Sequence, residues 1–294
     1  MTTVSKIAPT ATKAKAQNDF VGRVLFIHGY TQNAHIFHSK TLAFRKKLIS
    51  MKLKPIYLNG PTVVSPAHLH SQDEIFSLSD LSSSDSDNNC RSWCEQRSDA
   101  KYSFEFAKDT VKNYIENGII LEGSAEDKEA NLIADFEVDK DLPIVGLVGF
   151  SQGAAFSAAM VDKFEEHFGV PRVKWAILYS GYMFDIIRMP EHKKLFSTDK
   201  GLSSNPTRML HVLGELDTVV SEERSMQLFD FHEEISTMLR HPGGHFVPNS
   251  RPFVEKVCNW IVTENEPQQK PEEKVKDEKS DLDSLLDMMK GFGG

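Results

Sequence analysis

The chain has 294 residues, 40% of them hydrophobic, and a formal net charge of −8. That length holds one large α/β domain or two small ones with a substantial core, and an acidic balance without a dense Lys/Arg stretch argues against nucleic acid or an anionic membrane as the main partner. Three cysteines, Cys90, Cys94 and Cys258, are too few and too scattered for a disulfide framework and no apolar run is long enough to span a bilayer, so a reducing, cytoplasmic setting is expected, with the nucleus also open.

Residues 1–20, rich in Thr, Ala and Lys, read as a disordered leader; a transit peptide would want arginine and an apolar helical face. The folded domain is expected over 21–263. Arg23 to Ile27 is a short apolar run ending in His28-Gly29 and predicts a buried parallel strand, followed by a helix from about His35 to Met51 on the spacing of Phe37, Leu42, Phe44 and Leu48. Lys54 to Leu58 predicts a second strand, stopped by Asn59-Gly60-Pro61. Beyond Val64 the chain turns to Ser, Asp, His and Asn, and 77–90 reads as a flexible insertion. Cys90 and Cys94 have the spacing of half a zinc site, but no second pair lies nearby, so no metal is expected.

Helical periodicity covers Ser103 to Glu116 and Asp127 to Phe136. The strand Ile144 to Phe150 feeds a long helix reaching about His167. Further strands are predicted at Lys174 to Tyr179, Arg208 to Leu213 and Thr237 to Arg240, with helices at Glu222 to Glu234 and Pro252 to Val262. Polar residues follow the carboxyl ends of these strands, where an open parallel sheet places its ligand crevice; the fold class is α/β, a mostly parallel central sheet with helices on both faces. Residues 264–294 read as a charged, disordered tail. In it, Leu282, Leu285, Leu286 and Met289 give 281–290 an amphipathic face that would suit a protein partner, a helix folding back, or no use at all.

Gly149-Phe150-Ser151-Gln152-Gly153 lies directly between a strand and a helix, the setting of a nucleophile elbow that exposes the serine hydroxyl. Ser151 needs a base, and His245, after Gly243-Gly244, is the choice over His241. The base needs an orienting carboxylate: Asp217, three residues past the end of a strand, with Glu215 as the alternative. The chain order serine, acid, histidine is the one α/β-hydrolases use. For the oxyanion, the backbone amide of Gln152 supplies one donor and that of Tyr30 the other, with Thr31 open as a substitute, while His28 reads as a structural hydrogen-bonder.

His28-Gly29-Tyr30-Thr31-Gln32-Asn33, Gly149-Phe150-Ser151-Gln152-Gly153-Ala154, Asp217 and Gly243-Gly244-His245-Phe246-Val247-Pro248 together resemble the FSH family of serine hydrolases, over about Gly22 to Val262. Arg91-Ser92-Trp93 resembles that family's Arg-x-Trp element near the pocket, although Cys94 stands where a second aromatic is common. The resemblance implies an α/β-hydrolase fold without a large lid and a Ser151-His245-Asp217 triad. It also implies a pocket built around Trp93, Thr31 and Phe246, no metal or organic cofactor, and hydrolysis of small-molecule acyl esters or thioesters through an acyl-enzyme. Acyl-protein thioesterases and small carboxylesterases share the elbow but differ in the first-strand loop, which usually reads His-Gly-x-Gly-Asp. A non-catalytic binding protein on a hydrolase scaffold is the remaining alternative.

Overall fold

The structure, a computed structural model, describes residues 19–64, 89–96, 101–121, 131, 134–184, 189 and 206–263. The expected leader, most of the Ser-rich insertion and the tail lie outside the described residues. The chain divides into a unit of residues 1–258 and a second of 259–294. In the second unit the described part is the last turn of a helix, where the Thr263 amide and hydroxyl both donate to the Asn259 carbonyl.

Six strands form one parallel sheet: β1 (Gly22–Ile27), β2 (Leu53–Leu58), β7 (Ile144–Phe150), β8 (Trp175–Tyr179), β9 (Arg208–Gly214) and β10 (Ser236–His241), in the order β10-β9-β8-β7-β1-β2. Four short strands, β3 (Thr62–Val63), β4 (Arg91–Ser92), β5 (Glu95–Gln96) and β6 (Tyr102–Ser103), pair as two small ladders beside it. Alternate side chains on the central strands face opposite ways, as the pleat requires. Leu25, Ile27, Ile56, Leu58 and Leu147 join Val111 of helix Glu105–Asn117 and Phe156 of helix Gln152–Val161 in one core cluster. Phe26 and Tyr57 instead stack on each other at 4.4 Å and meet Phe37 of helix Ala34–Lys40, while Phe26 also meets Phe44 of helix Leu42–Ser50. The sheet is therefore covered on both faces, which is why its inner strands β7 and β8 are continuously apolar.

Strand order reverses between β1 and β7, since the chain moves from β1 out to β2 and returns on the other side. At such a switch point the loops leaving the two strands part and open a crevice at the carboxyl edge. The loop 28–33 and the serine after β7 lie on either side of it.

Three helices differ from the sequence expectation. The helix expected over 35–51 is two helices, because the Thr41 hydroxyl bonds the Phe37 carbonyl and the Tyr57 hydroxyl and holds its own backbone off the helical path. The helix expected to reach His167 stops at Val161 and resumes over Phe164–Phe168. The one expected over 127–136 has described helix only at Phe136–Asp139, where the Asp135 carboxylate caps the Val138 amide. Residues 122–130 and 132–133 lie outside the described set.

Two buried titratable sites give stability predictions. Lys54 on β2 meets Asp139 at 2.6 and 2.8 Å, both side chains nearly inaccessible. Removing one partner strands the other, so Lys54→Met is expected to cost about 3–5 kcal/mol, and Lys54→Met with Asp139→Leu to recover most of it, read by urea unfolding. His211, inside β9, is pushed down from 6.5 to about 3 by burial and secondarily by the His232 charge. Below about pH 6.5 the unfolded chain takes up a proton that the folded one refuses, so stability falls as pH drops from there toward 3. His211→Gln should flatten part of that fall in a Tm series.

Candidate active site

The elbow is built by close packing. Ser151 has φ 52° and ψ −117°, a strained conformation for a non-glycine residue, and its amide is held by the Tyr179 carbonyl at 2.8 Å. A Cβ on Gly149 would sit 2.5 Å from the Ala154 Cα, and one on Gly153 would overlap the carbonyl oxygens of Ile27 and His28. Glycine is required at both places for helix Gln152–Val161 to approach β1 and β7. Every residue of that helix is buried, and its hydroxyl, Ser157, is satisfied by the Gly153 carbonyl at 2.7 Å.

The candidate acid and base follow neighbouring strands. Asp217, in the turn after β9, and His245, in the loop after β10, meet at 2.8 Å between Oδ2 and Nδ1. With Nδ1–H donating, Nε2 keeps the lone pair a general base needs. The His245 ring lies 4.8 Å from that of Phe150, the residue before the serine. Asp217 Oδ1 accepts the Val219 and Val220 amides at 3.0 and 2.9 Å, and Oδ2 accepts the Ser180 hydroxyl at 2.8 Å. Burial alone would raise the carboxyl, but the hydrogen bond and charge of His245, with the Val220 amide and Ser180, outweigh it and hold Asp217 below the usual carboxylate range.

The competing candidates lie elsewhere. Glu215 is exposed. His241 is 3% exposed and packed against Phe246 and Phe253, with Nδ1 accepting the Gly243 amide; burial lowers it against the pull of Asp217 and Glu215. His28 accepts the Gly60 amide at Nε2 and so donates from Nδ1 to the Gly29 carbonyl, the structural role read from sequence. Among the described residues Ser151 Oγ makes no hydrogen bond, and the Gln152 amide, first in its helix, likewise makes none. Catalytic hydrogen bonds often tighten only when substrate is bound. The Thr31 amide donates to the Arg91 carbonyl, so it is not a free donor for an oxyanion.

Of the three pocket candidates, Phe246 is 47% exposed, whereas Thr31 and Trp93 are buried. The Trp93 ring stacks on Phe156 and its indole N–H is held by the His28 carbonyl at 2.9 Å, so it is enclosed in the core beside the first-strand loop. The Gln152 side chain accepts from Ser92 Oγ and the Trp93 amide, tying the Arg91-Ser92-Trp93 segment to the elbow.

The sequence left three supporting residues unassigned. Ser180 was visible only as the polar end of a strand. Asn249 caps helix Leu42–Ser50 through the Ala43 amide at 2.9 Å, which anchors the chain four residues past His245. Gly214 lets the acid turn lie against the base loop: Leu216 N–H bonds the Gly243 carbonyl, and a Cβ at Gly214 would overlap the Gly243 and Gly244 carbonyls.

The model of the FSH1 serine hydrolases matches residues 19–257. The chain belongs to that family. Family of serine hydrolases 3 of Saccharomyces cerevisiae is 30% identical over 92% of this chain and 97% of its own. Esterase OVCA2 of Danio rerio is 34% identical over 77% of this chain and 90% of its own. Among solved structures, Zea mays acyl-protein thioesterase 2 aligns over 84% of this chain and 95% of its own, with a TM-score of 0.49 and 16% identity. The chain has an α/β fold on a six-stranded parallel sheet and is a serine hydrolase.

Gly214→Ala should separate acid from base without touching either. A displacement of about 1 Å is expected to lower kcat about a hundredfold at unchanged circular dichroism; unchanged kcat would show that the contact between these loops does not set the site.

Proposed function

We propose that this FSH1 hydrolase cleaves carboxylic ester or thioester bonds of small acyl substrates through an acyl-enzyme on Ser151. The observation that carries the reading is the Asp217–His245 hydrogen bond, with the imidazole against Phe150, the residue before a serine held in an elbow at the sheet's carboxyl edge.

In this reading Ser151 Oγ attacks the substrate carbonyl carbon while His245 Nε2 takes its proton. The negative charge that develops on the carbonyl oxygen is assigned to the Gln152 and Tyr30 amides, since backbone donors at such loop and helix starts need no reorganisation when charge appears. Collapse expels the alcohol or thiol, which takes the proton from His245. Water, deprotonated by the same imidazole, then attacks the acyl carbon, and a second collapse frees the acid and restores Oγ–H. Asp217 remains ionised throughout, since the donors around it keep its carboxyl acidic.

A fluorophosphonate probe should label Ser151, located by peptide mass spectrometry, and Ser151→Ala should lose both the label and kcat on the order of a millionfold. Labelling elsewhere, or retained turnover in folded Ser151→Ala, contradicts the proposal. Because the base must be neutral, kcat/KM on a short-chain ester should rise with pH, and a flat profile over about pH 5–8 would remove His245 from the role.

A further inference from the structure

Ser180 follows β8 directly and is a non-glycine residue with φ 48°. It is 2% exposed, its amide bonds the Val212 carbonyl at 2.8 Å, and its hydroxyl donates to Asp217 Oδ2 at 2.8 Å. Serine is costly in that backbone region, where glycine is free of strain, so the position calls for a reason to keep a hydroxyl. The target of that hydroxyl is the same oxygen that His245 Nδ1 occupies, also at 2.8 Å. Oδ1 is already taken by the Val219 and Val220 amides. The carboxylate therefore has two donors on each oxygen, and the one on Oδ2 that comes from outside both the acid turn and the base loop is Ser180.

We propose that Ser180 is a positioning residue for the hydrolytic reaction: its hydroxyl fixes the rotation of the Asp217 carboxylate and shares Oδ2 with His245, so that one lone pair faces Nδ1 and the charge felt by the imidazole is moderated. This rests on the hydrolase reading above. The direction of the effect follows from the chemistry. A carboxylate that loses a donor binds a proton more readily and also holds an adjacent imidazolium more strongly. Both changes leave less of the productive pair, ionised acid with neutral base, at a given pH. The acid limb of kcat/KM therefore moves to higher pH when the hydroxyl is removed, and the loss of activity is larger at pH 6 than at pH 8. The carboxylate's orientation acts on the chemical step, so kcat falls while KM stays nearly constant.

The test compares wild type, Ser180→Ala and Ser180→Gly on a soluble short-chain ester, with rates divided by the number of sites that a fluorophosphonate titrates. Ala keeps the Cβ and removes the hydroxyl; Gly removes the hydroxyl and also relieves the strained backbone, so at least one variant keeps a comfortable fold. The expected result is that both lose about tenfold or more in kcat per titrated site, the order expected for one hydrogen bond to a charged group, with the acid limb displaced upward in both. Variants that match wild type per site, or that lose rate equally at every pH, overturn the inference, as does Ser180→Gly behaving like wild type while Ser180→Ala does not. A wild-type enzyme that neither turns over the ester nor labels at Ser151 overturns the hydrolase reading itself, which is a separate outcome.

Discussion

A single carboxylate holds the site together. Asp217 receives four donors from three neighbouring strand ends: the Ser180 hydroxyl after β8, the Val219 and Val220 amides in its own turn after β9, and the His245 imidazole after β10. A partly buried charge is tolerable only when hydrogen bonds replace the water it has lost, and here those same hydrogen bonds select the imidazole tautomer and aim the ring. The Ser180 strand end reaches the nucleophile as well, because the preceding residue, Tyr179, accepts the Ser151 amide. Asp217 and His245 are thus bonded directly, and the strand end that braces Asp217 also holds the Ser151 backbone, an arrangement of the preorganised kind that hydrolytic catalysis draws on.

The second constraint is close approach. The helix after Ser151 carries almost nothing but small or apolar side chains, and it packs against β1, β7 and β8 with glycine at the two points where the backbones come nearest. The same device recurs at Gly214, where the acid turn lies on the base loop. Side chains then fill the remaining space: Trp93 lies on Phe156 behind the loop, and Gln152 spends its side-chain oxygen on the Arg91-Ser92-Trp93 segment, while its amide stays at the head of the helix.

Strand ends and the elbow were legible because they are local. Apolar runs of five to seven residues stopped by glycine or polar residues mark parallel strands, and a serine between glycines at a strand-to-helix joint has few other uses. Asp217 and His245 were singled out because chain order and strand-end position narrow the choice, and the structure joins the two by a hydrogen bond while leaving Glu215 exposed and His241 packed among aromatic rings. What the sequence concealed is long-range. Thr41 divides a helix because its hydroxyl pairs with that of Tyr57, on the strand that follows. Trp93 is buried because Phe156 lies beneath it, and Ser180 and Asn249 act on partners 37 and more than 200 residues away. No window of residues contains both members of such pairs, so periodicity cannot report them.

The most direct measurement is a crystal structure of the enzyme phosphonylated by a fluorophosphonate. The account predicts phosphorus on Ser151 Oγ, His245 Nε2 within hydrogen-bond reach of that oxygen, the His245–Asp217 bond retained, and the phosphonyl oxygen on the Gln152 and Tyr30 amides. An adduct on Ser151 with His245 turned away, or with the phosphonyl oxygen on neither amide, would contradict it.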